Sequence, residues 1–430
     1  MTEIKRFTGL RNTTSTERLR KGDLSKALDI DIDDSGRILT RKGFTQVNAA
    51  SGLHSLYANQ YAAVVMQNKT LNEIMPDFTL RPITTLSTSD AVGYESSLER
   101  IFYSNGTDIG RLEGTNPKQW GIDPPVNQPV ADLISGNLPY GDYQYALTFL
   151  RSDGHESGTG LAGIITIPGP AAAGQQVPTQ GIRFTNIEVS TNPEISGKIL
   201  YLTNASGEML YRAAVLDNSV TTYEYRNAAL DLSITLITQF YGPTPAGSQV
   251  LLQHGVMYVV TGDTIAHSKP YEFELFCMAD KWLRFPGKVV MFEPVNDGIY
   301  VGTVDNGGPD NRQENGAVWF LEGRRPDQFK SHMLFDYGVI EGTGIATDMA
   351  YFGPSDLEVS EALPAVVWMS RHGVIRGGNG GQCVNLTERR YSFPVAKRGA
   401  PLVRLHRGYV QYLVTLQDTG PASNAYQEEI

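Results

Sequence analysis

The sequence predicts an all-β protein: a β-propeller carrying an inserted β-sandwich. Three observations lead there. Nearly every apolar segment of the 430 residues is short, β-branched or aromatic, and closed off by Gly, Asn, Asp or Pro. A loose repeat recurs on either side of the middle of the chain. The middle itself has a different character and lies between two proline-rich stretches.

The strand signal is carried by runs such as YAAVVMQ (61–67), ERIFYSNG (99–106), YQYALTFL (143–150), KILYLTN (198–204) and PAVVWMS (364–370). Runs of this length and composition between turn residues are strands. Helical periodicity beyond two turns is scarce. The best candidates are STERLRKGD (15–23) and YEFELFCMADKW (271–282).

The repeat aligns HGVMYVVTGD (254–263), DGIYVGTVDN (297–306) and HGVIRGGNGG (372–381), with a weaker copy at 53–70. Each places a polar residue and Gly before a β-rich stretch that ends in a Gly, Asn or Asp turn. The first two copies start 43 residues apart, a spacing that matches a propeller blade. Hairpins repeated about an axis bury faces that none could bury alone. Residues 1–120 and 245–430 are the two parts of the propeller, with room for six or seven blades at roughly 40–45 residues each.

The block between GIDPPVNQP (121–129) and FYGPTPAGS (240–248) alternates strands of five to eight residues with turns. That pattern fits a two-sheet sandwich of about 100 residues. Its opening run, YQYALTFLRSDGHES, is similar to the strand-turn-strand of fibronectin type III and immunoglobulin-like modules, so 125–242 is expected to be an inserted sandwich domain.

The stretch ALDIDIDDSGRILTRKGFTQV (27–47) offers Asp29, Asp31 and Asp33 at metal-loop spacing. A calcium loop needs Gly at its sixth position and Glu at its twelfth. Counted from Asp29, those are Asp34 and Thr40. The alternation predicts a strand with its acids on one face, then a turn at Asp34-Ser35-Gly36 and a partner strand bearing Arg37, Arg41 and Lys42. Cross-strand ion pairs are expected, and the hairpin is expected to belong to the first blade.

Other motifs read as structural. GTGLAG (158–163) matches the glycine pattern of a dinucleotide site, which must open a helix whose N-terminus receives the pyrophosphate; here it runs into IITIP, a strand. GGNGGQ (377–382) lacks the Lys-Ser/Thr of a phosphate loop and reads as a tight turn allowing close backbone approach. His254 and His372 hold equivalent turn positions in two repeats. Cys277 and Cys383 cannot build a disulfide framework or a four-ligand zinc site. No catalytic, cofactor or metal residues are assigned, and no enzymatic activity is expected. A propeller glycosidase would draw its carboxylates from distant strands and leave no local motif.

Formal net charge is −10, which disfavours gripping nucleic acid but suits a wall past which DNA slides. The polar N-terminal stretch predicts no secretion signal, and no apolar run approaches the roughly 20 residues that span a bilayer. Folding in a cytoplasm without membrane insertion is the expectation.

Taken together, FTGLRN (7–12) with LRKGDLSKALDIDIDDSGRILTRKGF (19–44) resembles the N-terminal signature of bacteriophage tail proteins: a Gly-Leu…Asn turn, an aspartate strand, a Gly turn, then Arg-x-Gly-aromatic. Residues 267–303 and 367–404 are similar to such proteins as well. The family is that of the tail nozzle, or tail tubular protein B-like, proteins of short-tailed phages. The resemblance implies a propeller subunit of a homo-oligomeric, six-fold ring in the virion tail, below the portal and adaptor. It implies contacts with adaptor or connector proteins and with tail fibres or spikes, and passage and retention of genomic DNA without sequence-specific binding. A tail component that binds host-surface glycan through the sandwich is the alternative.

Overall fold

The computed structural model describes residues 6–33, 35–41, 43–171, 175–176, 179–228, 230–277, 279, 282–304, 316–348, 363–387, 390–391, 393, 396–406 and 409–417. Statements about the fold refer to these residues. The protein is all-β, a β-propeller with an inserted β-sandwich.

At the N-terminal end β1 (Gly9–Leu10) and β2 (Asp23–Leu24) pair in parallel, and β3 (Ile30–Ile32) and β4 (Ile38–Thr40) form a hairpin. The first blade sheet is the antiparallel meander β5 (Leu53–Ala58), β6 (Ala63–Gln67), β7 (Thr70–Ile74) and β8 (Leu80–Thr85). The second is β9 (Gly93–Ser97), β10 (Arg100–Ser104), β11 (Ile109–Glu113) and β12 (Asn116–Lys118).

The sandwich follows. One sheet holds β13 (Val130–Leu138), β16 (Gln180–Thr185) and β19 (Tyr223–Tyr225). The other has the order β15-β14-β17-β18, from β14 (Gly141–Arg151), β15 (Gly163–Ile167), β17 (Ile195–Thr203) and β18 (Leu210–Asp217).

Blade sheets then resume. The third comprises β20 (Gln249–Gln253), β21 (Val256–Thr261), β22 (Thr264–Lys269) and β23 (Glu272–Phe276), with β24 (Trp282–Arg284) also on β22. The fourth is β25 (Lys288–Val295), β26 (Gly298–Val304), β27 (Val318–Glu322) and β28 (Lys330–Phe335). The fifth is β29 (Ile345–Asp348), β30 (Pro364–Ser370), β31 (Gly373–Gly377) and β32 (Cys383–Asn385). A long hairpin, β33 (Arg398–His406) with β34 (Tyr409–Gln417), comes last.

Five sheets of blade form therefore stand among the described residues, fewer than the six or seven that length alone allows. Among the described residues the first 50 and the final hairpin form two-stranded sheets, the hairpin adding one isolated bridge between Arg398 and Glu341.

The chain divides into two compact units: residues 1–91, 260–265 and 283–430 form one, and residues 92–259 with 266–282 form the other. Within the first, Tyr300, Phe320, Trp368 and Ile375 interlock between the fourth and fifth sheets. Ile340, Val367 and Met369 pack under Tyr412, Val414 and Leu416 of the last hairpin. Within the second, Phe102, Trp120, Met257, Val259 and Phe276 fill the space between the second and third sheets. Neighbouring sheets bury each other's faces, each large side chain contributing about 1.5–3 kcal/mol. The sandwich has its own core of Tyr143, Tyr145, Leu147, Ile182, Phe184, Leu200, Leu202 and Tyr225.

The three main repeats coincide with tight turns, between the first and second strands of the third and fourth sheets and between the second and third strands of the fifth. His254 and Gly255 both take positive φ (48° and 76°), the conformation a two-residue hairpin turn requires. The second sheet escaped the repeat reading because its equivalent turn is Leu98-Glu99. Leu98 adopts φ 55° with no Gly or Asn to announce it.

Both helical expectations fail. Residues 15–23 contain a single 3₁₀ turn, Thr16–Arg18, followed by the start of β2. Residues 272–276 are β23, and Trp282 opens β24; residues 278, 280 and 281 lie outside the described set. Glu274, Leu275 and Phe276 are all buried in β23, so the strand shows no alternation and mimics an apolar helix segment.

The Asp29–Asp33 hairpin exists, in a shorter form. Asp29 has φ 51° and stands outside the strand. Asp33 closes the turn, its carboxylate accepting hydrogen bonds from Ser35 Oγ (2.5 Å) and the Arg37 backbone N–H (2.8 Å). The Ser35 bond, with that of Arg37, holds the Asp33 carboxyl below its ordinary value. Arg37 also acts on Asp33 by its charge, whereas Arg41 lies over the Phe44 ring at 4.9 Å, with Arg404 of the last hairpin 5.9 Å from the same ring. Lys42 is outside the described residues.

Candidate functional site

The densest assembly of ionisable groups lies in the second unit, where the sandwich meets the blade strand β23. Three attachments converge on that one strand. On the entering linker, Trp120 is fully buried and its indole Nε1–H donates to the Phe273 carbonyl at 2.9 Å. Its ring lies 5.0 Å from Phe102 and 6.5 Å from Phe276. On the leaving linker, Gly242 and Phe276 exchange backbone N–H···O bonds of 2.7 and 3.0 Å. From the sandwich itself, Arg151 at the end of β14 reaches Glu274.

The Arg151 guanidinium uses both edges. Nη1 and Nη2 donate to Glu274 Oε2 and Oε1 at 2.5 and 2.8 Å. Nε and Nη2 donate to Asp153 at 2.9 and 2.7 Å. Such forked pairing fixes direction as well as distance. A second guanidinium, Arg111 of β11, donates to the Gln119 carbonyl (3.1 Å) and to Glu194 (3.2 Å), pairs with Glu113, and lies 3.8 Å from Glu274. Lys118 reaches the other oxygen of Glu194 at 2.7 Å.

Both arginine side chains are 2% exposed and that of Glu274 5%. Charges this deep persist only when paired and hydrogen-bonded, and here each one is. Burial acts to raise the Asp153 carboxyl, but the Arg151 guanidinium outweighs it and holds it far below the usual range. Glu194 follows the same logic: burial is overcome by Lys118 and Arg111, and the carboxyl is lowered. Perturbed groups in a cluster often mark catalysis. At this junction they neutralise one another.

The glycine run GTGLAG finds its explanation beside this root. A Cβ on Gly158 would lie 1.7 Å from the Tyr241 carbonyl oxygen, and one on Gly160 2.1 Å from that of Pro125. The run is wedged between the leaving and entering linkers, and Thr159 Oγ1 donates to the Gln239 carbonyl at 3.2 Å. Gly163 then opens β15, so the motif enters a strand and meets protein backbone where a dinucleotide site would meet phosphate.

The remaining sequence motifs do not gather. His254 and His372 sit in hairpin turns, and the His372 ring packs edge-on against Tyr337 at 4.4 Å; burial and then Arg371 lower its affinity for a proton. Cys277 and Cys383 are free thiols, and burial pushes the Cys383 thiol up to about 11. GGNGGQ turns through a 3₁₀ segment, Asn379–Gly381, that brings the Gly378 carbonyl 2.5 Å from the Tyr300 hydroxyl. Among the described residues no group of three or more His, Cys, Asp or Glu could hold a metal ion. Sequence reasoning missed the root because Arg111, Arg151, Glu194 and Glu274 come from four separate segments.

No family model and no curated protein matches this chain. Among solved structures it is similar to a streptogramin B lyase, at 12% identity over 87% of this chain and 94% of that one, with a TM-score of 0.34. It is also similar to virginiamycin B lyase from Staphylococcus aureus, at 10% identity, 82% and 87% coverage and a TM-score of 0.29. The N-terminal domain of Nup159 matches at 8%, with 85% and 73% coverage and a TM-score of 0.32. Likeness this faint transfers no activity.

Proposed function

We propose that this chain is a non-catalytic structural subunit of a short-tailed bacteriophage tail. It assembles with copies of itself, six by expectation, into a ring below the portal and adaptor that continues the DNA exit channel and helps retain the packaged genome. The observation that carries this reading is the root at β23. Its buried charges are consumed in holding the sandwich to the blade sheets, as a wall component requires, with no group left poised for proton transfer.

Two further points support it. The 7–44 stretch resembles the tail-nozzle signature; within it Gly9–Leu10 pairs with Asp23–Leu24 and Ile30–Ile32 with Ile38–Thr40. The net charge of −10 suits a subunit past which DNA moves without strong phosphate contacts. Closed rotational symmetry would cover the subunit's contact surfaces.

Mass photometry of the purified chain, with electron microscopy of virions labelled at this protein, tests the proposal. A closed oligomer and label beneath the portal are expected. A chain that stays monomeric at micromolar concentration, or label found away from the portal axis, overturns it.

A further inference from the structure

Beside the root, and touching it through Gln119 and Asn192, the sandwich carries a cleft of about 490 Å³ between the entering linker and the loop joining β16 to β17. This volume is in the range of small-ligand sites. The cleft has an apolar floor and a polar rim. The floor is Ile122, Phe149 and Ile195, which form a small buried cluster of their own.

The rim is built from amides and carboxylates fixed by one another. Asn192 Nδ2 donates to Gln119 Oε1 at 2.7 Å, and Gln119 Nε2 donates to Asp123 Oδ2 at 2.8 Å. The Asn192 Oδ1 is held from behind by the Glu194 backbone N–H at 2.9 Å. Glu188 is tied at both ends: its carboxylate accepts from the Asn127 backbone N–H, and its carbonyl accepts from Lys198 Nζ at 2.5 Å. Lys198 is fully buried, and burial lowers its affinity for a proton; the bond it makes pins the rim loop to β17.

These bonds orient the rim without exhausting it. Each carboxylate keeps a second oxygen, and each amide nitrogen a second hydrogen. The pattern asks for a ligand that gives and takes hydrogen bonds along one edge and presents C–H surface on the other. Adjacent hydroxyls on a sugar ring meet both demands. We propose that this cleft is a saccharide-binding site, with Asp123 and Glu188 accepting from ligand hydroxyls and Asn192 and Gln119 donating to them. Preorganised side chains of this kind need little ordering on binding.

This inference does not rest on ring assembly, and its test uses the full chain in whatever oligomeric state it adopts. The purified protein is applied to an array of neutral hexoses, N-acetylhexosamines and short polysaccharide fragments, and hits are checked by saturation-transfer NMR. At least one neutral saccharide is expected to bind, and Asp123→Asn and Asn192→Ala are each expected to weaken it tenfold or more while both variants still fold and unfold cooperatively. Both residues are on the rim, away from the sandwich core. Binding of no saccharide, binding only of cationic amines, or saccharide binding undiminished in both folded variants overturns the proposal.

Discussion

Replacing Arg151 by alanine should strongly destabilise the second unit. The substitution removes four hydrogen bonds of 2.5–2.9 Å to Glu274 and Asp153. Asp153 is about one-third exposed and can turn to water. Glu274 cannot: its nearest remaining cation is Arg111 Nε, 3.8 Å away and already bonded to a carbonyl. Stranding a buried charge in this way costs about 3–5 kcal/mol.

Glu274→Leu alone should cost less, about 2–3 kcal/mol, because Asp153 still serves one edge of the guanidinium. Arg151→Ala combined with Glu274→Leu removes both charges together and should recover about 2 kcal/mol relative to the sum of the single changes. Hydrogen exchange read on peptides spanning β14 and β23, alongside urea denaturation, gives each corner of the cycle. If Arg151→Ala shifts stability by under 1 kcal/mol, or the two sites add within about 0.5 kcal/mol, the junction is not held by this pair.

Other perturbations follow from the same structure. Gly158→Ala forces a methyl into the Tyr241 carbonyl and should cost about 1–3 kcal/mol, with protection lost across residues 239–243. Leu98→Gly should stabilise by up to about 1 kcal/mol, since an exposed leucine at φ 55° pays for a left-handed conformation that glycine adopts freely; a lowered urea midpoint would contradict it. In acid, Asp153 and Glu194, both held below their ordinary values of 3.8 and 4.5, contribute stability that is full above those values and lost as pH falls through the folded ones. Glu156 acts with the opposite sign. Burial raises its carboxyl despite bonds from Thr148 and Tyr201, so its contribution is full below 4.5 and lost as pH rises through the folded value. Asp153→Asn should therefore flatten the acid limb of a stability–pH curve, and Glu156→Gln the limb just above it.

The blade sheets were legible because a strand between two neighbouring sheets must be apolar on both faces. PAVVWMS and KVVMFEPV announce that directly, and a glycine marks each following turn, inside it before β21 (Gly255) or opening the strand after it in β26 (Gly298) and β31 (Gly373). The Leu98 turn was silent because nothing in a leucine signals positive φ. β23 was misread as helix for a related reason: Glu274, buried among apolar neighbours, interrupts a run that otherwise lacks any period. The root was illegible altogether. Its arginines look like any surface arginine until β11, β14 and β23 converge, and no local spacing encodes that meeting. GTGLAG shows the converse, where a pattern reminiscent of ligand binding arises because two linkers crowd the same backbone.

The convergence on β23 also has a mechanical meaning. The entering linker, the Arg151 fork and the leaving linker grip Phe273, Glu274 and Phe276, three residues of one five-residue strand. A pull on the sandwich is therefore shared among three fastenings along one strand, which must yield together and cannot be peeled in turn. Force entering at the sandwich is delivered as shear to the whole edge of the blade sheet, and the weakest path to rupture runs through the strand pairing of that sheet.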